Sequence, residues 1–232
     1  MVRIAIASIV AAFACGSAFA ADTVEMKKID TGLGKEIKII HGSDSFNAFA
    51  GEIVHQFTNG VGLGAQFNGK TMSTYCVEVT QTVTTNYRVY NVTDNVGTIP
   101  VPAMGADRAG AINSMFAMLL DKRAEGVFNN DWAAAFQIAV WDVVYDYNAG
   151  VGRDSLSVDA GDMKVKKTDG TTLSSSLRAK IDTYFDAIGV ASSPFNIIGF
   201  HNDSYQDQIV PTPGTIALGS LGLLLVGRRR KG

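Results

Sequence analysis

Two side chains stand out for the chemistry their types permit. Cys76, in Thr74-Tyr75-Cys76-Val77-Glu78, is one of two cysteines, and the other, Cys15, lies in a leader that export would remove. A thiol left alone in an exported chain tends to oxidise or to pair with another chain. Gln137, in Phe136-Gln137-Ile138-Ala139-Val140-Trp141, is a carboxamide among apolar neighbours. Burying an amide without hydrogen bonds costs about 1 to 3 kcal/mol, so it needs a partner or a purpose. Backbone at a helix-sheet junction is one such partner. A thiol can also serve as a nucleophile with His41, His55 or His201 as base, although no motif ties any of the three to Cys76. Three scattered histidines and one cysteine have no metal-ligand spacing, so no metal or cofactor is expected.

The elements that must position these residues are legible as patterns. From Ile37 to about Tyr90, short β-branched and aromatic runs alternate with glycine turns, a strand-like pattern. The run Gly60-Val61-Gly62-Leu63-Gly64 reads as turns and packed backbone, since no Gly-Lys-Ser/Thr follows to make a phosphate loop. The longest strand signal is the run 71–93, in which Tyr75, Val77 and Val79 share one face and Cys76 the other. Helical spacing appears over 107–122, with Ala111, Met115, Met118 and Leu119 on one side. A second helix opens near Asp131, whose carboxylate can cap it, and carries Ala133, Gln137, Val140, Trp141 and Val144 as an inward stripe. Residues 150–172 read as a glycine-rich loop, with Lys164, Lys166 and Lys167 in solvent. A third helix spans 174–188, and two closing strands follow, Phe195–Phe200 and Tyr205–Val210. Strands, then helices, then strands predict an α+β fold, mainly a β sandwich or barrel with a small helical insertion.

The chain ends carry addresses rather than fold. Residues 1–20 hold one early arginine, an apolar run and Ala18-Phe19-Ala20, the pattern of a signal peptide cut before Ala21 by signal peptidase. Phe13 puts a bulky ring where a lipid-attachment site before Cys15 calls for small residues. Residues 211–232 place an uncharged stretch, Gly214 to Gly227, ahead of Arg228, Arg229, Arg230 and Lys231. That span is short beside the roughly 17 to 25 residues of a free-standing membrane helix, and its basic block is placed to stay cytoplasmic. The order of parts resembles the PEP-CTERM signals read by exosortase-type membrane proteases, with Pro211-Thr212-Pro213 in place of Pro-Glu-Pro. The resemblance implies an exosortase-like partner, transient membrane anchoring through the tail, and a final place at the cell surface or in the extracellular matrix.

Between the ends, 21–210 is long enough for one domain: strands over about 37–100, a helical part over 107–148, then a helix and closing strands over 174–210. Without the end segments, 15 basic residues face 22 acidic ones, a balance of −7, which argues against nucleic acid or an anionic lipid surface as partner.

The stretches around Cys76 and Gln137 together resemble the thioester domains of bacterial surface adhesins. An aromatic-Cys-aliphatic strand is followed by apolar-Gln-x-x-apolar-Trp on a helix, and the likeness spans about 65–150. It implies that Cys76 and Gln137 form an internal thioester, with Tyr75, Phe136 and Trp141 keeping water from it. Such a bond masks the lone thiol and leaves a carbonyl without amide resonance, open to an amine or hydroxyl on a surface protein or polysaccharide. Capture of that kind is used once, so no enzyme activity is expected. Glu78 and Asp142 are acids close in sequence to the pair, and a solvated surface role competes with any part in proton transfer. The other readings are a passive structural protein of surface or matrix, and a cysteine nucleophile of the peptidase type.

Overall fold

A computed structural model describes residues 21–190 and 196–212. The leader at 1–20 and the tail stretch from 213 onward lie outside the described residues.

Among the described residues, seven strands and three α-helices follow one another as β1 (Thr23–His41), β2 (Asp44–Val61), β3 (Thr71–Cys76), β4 (Arg88–Thr93), α1 (Ala106–Ala124), α2 (Asn130–Asp146), β5 (Met163–Lys166), α3 (Ser175–Asp186), β6 (Ile197–Asn202) and β7 (Tyr205–Pro211). Every pairing is antiparallel. The order β2-β3-β7-β6-β4-β1, with β1 also paired to β2, closes six strands into a ring, and β5 extends the far half of β1. The fold is α+β and mainly β, as the pattern of elements predicts.

The long β1–β2 hairpin joins two cores. It turns at Gly42-Ser43 with Gly42 at φ 58°, a value that favours glycine at the first turn position. Midway, the register shifts between Thr31 and Gly34, opposite Gly51. A Cβ on Gly51 would lie 2.3 Å from the Leu33 carbonyl oxygen, so the close approach admits only glycine there. Bulges bend and twist a strand pair. On one side of the bend, Thr23–Met26 pair with β4 inside the ring, and on the other, Lys38–His41 pair with β5. Val24, Met26, Phe57, Phe67, Tyr90, Val92, Ile198, Phe200 and Val210 form one apolar cluster within the ring. A second, larger core lies between the other half of the hairpin and the helices.

Helix α2 is the centre of that second core. It packs on β1, β2 and β3 and on both other helices, which is why Ala133 to Val144 are buried without interruption rather than as a stripe. Its cap differs from expectation. Asn129, not Asp131, accepts from the Asp131 and Trp132 N–H groups, at 3.0 and 3.3 Å. Asp131 instead faces Lys35 and Lys180 in ion pairs.

Three further differences from the sequence reading have physical causes. Strand structure begins at Thr23, ahead of Ile37, because the first half of β1 buries only Val24 and Met26, against the barrel, while the side chains around them are partly or fully exposed. The run 71–93 is two strands: past Cys76 the Val77 N–H makes one more bond to the Asp207 carbonyl of β7, and the ladder ends there because the Asp207 N–H goes to the Glu78 carboxylate instead. Within the expected loop, Met163 and Val165 point inward while Lys164 and Lys166 point out, a short strand on the edge of β1.

Candidate functional site

Cys76 and Gln137 meet where β3 ends against α2. Alternation along β3 turns the backbone of Tyr75 toward β7 and that of Cys76 away from it, to an edge with no neighbouring strand. The Gln137 side chain fills that edge. Its Oε1 accepts the Cys76 N–H at 2.8 Å and its Nε2 donates to the Cys76 carbonyl at 2.8 Å. The carboxamide thus stands in for a strand. Gln137 is fully buried and Cys76 is 3% exposed.

The sulfur of Cys76 faces β7. Cys76 and Gln208 are opposed across β3 and β7, and Gln208 Nε2 lies 3.4 Å from Sγ, with Oε1 at 3.8 Å. Burial pushes the Cys76 thiol up to about 12, against the pull of the Gln208 hydrogen bond. The thiol lies in the wall of a cleft of about 500 Å³, together with Phe46, Phe49, Val79, Trp141 and Gln206. The same cleft is also lined by Lys28, His41, Asp44 and Asn47, so its wall is mixed in character.

The three aromatic residues named as shields have different places. Trp141 is buried and shares the cleft wall with Cys76. Tyr75 and Phe136 stack edge to face at 4.6 Å and 70°, and Phe116 and Tyr184 join them. Neither lines the cleft; they pack the seam that holds α2 against β3. The Tyr75 hydroxyl donates to Glu52 at 3.2 Å, and Arg123 pairs with the same carboxylate.

The two acids separate. Glu78 Oε1 accepts the Asp207 N–H at 2.8 Å, and burial, then the Asp207 charge, raise its pKa to about 7. It opens on a neighbouring cleft of about 510 Å³ with His201 and Asp207, whose side chains bond at 2.9 Å. Asp142 is fully buried; neither oxygen has a partner at full hydrogen-bond geometry, the Ser157 backbone gives it only a weaker contact, and burial, then Asp146, raise its pKa to about 8. The charged groups acting on it are Asp146 and Arg153, whereas those acting on Cys76 are Glu78 and Lys28.

His41 lines the same cleft as Cys76, whereas the side chain within hydrogen-bonding distance of the sulfur is that of Gln208. His55 bonds Thr74 at 2.9 Å, His201 bonds Asp207 and Asp203, and His41 packs on the Tyr145 ring at 4.4 Å. Among the described residues, no group of three or more His, Cys, Asp or Glu side chains is placed to hold a metal ion, and no helix is long and apolar enough to cross a membrane.

The structure adds Gln208 to the site. Its signal in the sequence is the same as that of Gln137: Gln206 and Gln208 are amides in the apolar closing strand Tyr205–Pro211, and both are buried.

No family model and no curated protein matches this chain. Among solved structures, the N-terminal thioester domain of a surface protein from Clostridium perfringens is similar at 14% identity and a TM-score of 0.43, over 77% of this chain and 100% of that chain.

Proposed function

We propose that this chain is an exported surface or matrix protein in which Cys76 and Gln137 condense to an internal thioester that captures an amine or hydroxyl on another surface. The observation that carries this reading is the Gln137 carboxamide held on both backbone groups of Cys76 in a buried seam. The 2.8 Å hydrogen bond and a C=O bond of about 1.2 Å put the amide carbon within about 4 Å of the Cys76 nitrogen. Bond formation then asks for rotation of the Cys76 side chain from Gln208 toward Gln137 and a shift of the amide.

In forming, the S–C bond replaces the C–N bond of the carboxamide, and the thiol proton leaves with the nitrogen as ammonia. In capture, the nitrogen or oxygen of the nucleophile bonds to the Gln137 carbon, the C–S bond breaks, and the electron pair goes to Cys76. The nucleophile's proton ends on sulfur or solvent. The surroundings bear on both steps: burial keeps bulk water from the bond, and the rotation that joins Cys76 to Gln137 must leave the acyl carbon within reach of a partner in the cleft that Cys76 lines. Each molecule reacts once, so the protein is a capture reagent and not an enzyme. Its partners are a surface protein or polysaccharide, with signal peptidase and an exosortase-like protease acting on its ends.

Intact mass tests this. The purified chain is expected about 17 Da below the sequence mass for lost ammonia, and methylamine should add about 31 Da, with the methylamide mapping to Gln137. Cys76→Ala should show neither change. Full mass with a titratable thiol overturns the reading. That outcome favours a passive structural protein, in which the two hydrogen bonds of Gln137 serve only to join α2 to the free edge of β3.

A further inference from the structure

The sulfur of Cys76 ends a directed chain of buried hydrogen bonds. Gln208 Nε2 faces both Sγ at 3.4 Å and the Gln206 carbonyl at 3.3 Å. A carbonyl only accepts, so this end of the amide is the NH2 and the other end is oxygen. Gln208 Oε1 lies 2.6 Å from Thr74 Oγ1, and an amide oxygen cannot donate, so the threonine hydroxyl does. With its proton spent there, Thr74 Oγ1 must accept from His55 Nδ1, 2.9 Å away. His55 is 1% exposed, and burial lowers its pKa to about 4, so at neutral pH it is an uncharged donor. His55, Thr74, Gln208 and Cys76 thus lie in line, every N–H and O–H pointed toward the sulfur. Thr74 and Gln208 are fully buried.

We propose that Gln208 stabilises the Cys76 sulfur as it leaves the acyl carbon, with Thr74 and His55 as positioning residues that hold the Gln208 amide in the donating orientation. This rests on the capture reading above. A neutral thioester sulfur is a poor acceptor, whereas a departing thiolate takes a charge-assisted bond, so the Gln208 N–H binds the transition state better than the resting bond. The donor stands 3.4 Å from where the free sulfur rests, so the departing thiolate rotates back toward a bond that is already in place. Head-to-tail polarisation through Thr74 and His55 strengthens it.

The test uses the full chain and methylamine as probe. Gln208→Met removes the donor at similar length, and Thr74 keeps the Ile53 carbonyl, at 3.2 Å, as a second acceptor. This variant is expected to retain the roughly 17 Da loss but to open about 10-fold or more slowly. After opening, its thiol should also alkylate about 10-fold more slowly between pH 8 and 10, a shift in ionisation that a purely structural role leaves unchanged. Glu78 and Lys28, the charged groups that act on the thiol, are untouched. Thr74→Val should slow opening about threefold and Thr74→Ser should restore it, which decides the matter if Gln208→Met fails to fold.

Opening and alkylation at the unaltered rates, or a methylamide on Gln208 itself, overturns the proposal. Failure of the capture reading looks different, because the unaltered chain then has full mass. In that case the alkylation rates of the native thiol in the same variants still decide whether Gln208 stabilises the thiolate.

Discussion

The inside of the β-ring and the seam between β3 and α2 are both buried, yet they are built from opposite materials. In the ring, Phe57, Phe67 and Phe200 touch one another at 5.0 to 5.5 Å, with aliphatic side chains and Tyr90 around them. At the seam and in the polar layer that continues from it onto β2, β3 and β7, Gln137, Gln208 and Thr74 are fully buried, with His55 and Cys76 nearly so. Apolar packing alone stabilises the first. The second retains polar groups that must all find partners, a costly arrangement for which stability gives no reason. The comparison teaches that buried polarity, more than exposure or cleft size, sets the surroundings of Cys76 apart from the rest of the core.

That contrast can be broken by substitution. The largest loss of stability is expected from Phe200→Ala, about 3 to 5 kcal/mol in chemical denaturation, with the mass of the chain and the reactivity of Cys76 unchanged. An altered thiol would show that ring and seam are not independent. Next, Gln137→Leu leaves the buried Cys76 N–H and carbonyl unpaired and should cost about 2 to 3 kcal/mol while abolishing any mass loss. A neutral effect on stability would mean that water or another group fills the β3 edge.

Protonation sharpens the comparison further. The raised pKa of Asp142 means that the folded chain holds a proton the unfolded chain has released, so stability falls as pH rises toward about 8. His55 acts in the opposite sense, adding stability as pH rises from about 4 to 6.5, and Glu78 acts in the same sense as Asp142 up to about 7. Between pH 7 and 8, Asp142→Asn should therefore flatten the stability curve by about 1 kcal/mol relative to the unaltered chain. Unchanged curvature there would place the proton elsewhere. The smallest effect belongs to the surface. Arg153 pairs with Asp182 and Asp186 in solvent, and Arg153→Ala should cost less than about 1 kcal/mol by thermal unfolding, with no change in the pH profile below 7.

Much of this could be read from the chain. The helices stand close to their expected bounds because the periodic apolar positions of 107–122 and 174–188 survive whatever packs against them. The closing strands likewise emerge where apolar runs are bounded by turns. Elements read poorly where burial is one-sided and brief. β5 holds only four residues, and the first half of β1 shows the barrel two large apolar side chains among charges and glycines. At the site, Gln137 was conspicuous because an amide interrupts a helical stripe. Gln208 carried the same signal in a strand, but period-2 alternation makes a polar residue there look like an ordinary outward position.

The sequence by itself determined the classes of element, their order, and the two residues that do not suit their surroundings. A lone thiol and an amide in an apolar stripe are unusual wherever the chain goes, because their costs are local. Tertiary structure decided which groups face which. Register across β3 and β7 sets Gln208 against the sulfur, the free edge of β3 receives Gln137, and the bend at Gly34 and Gly51 divides the ring's apolar cluster from the core beneath the helices. Such pairings join residues 61 and 132 positions apart, and only the closing of the sheet brings them to hydrogen-bonding distance.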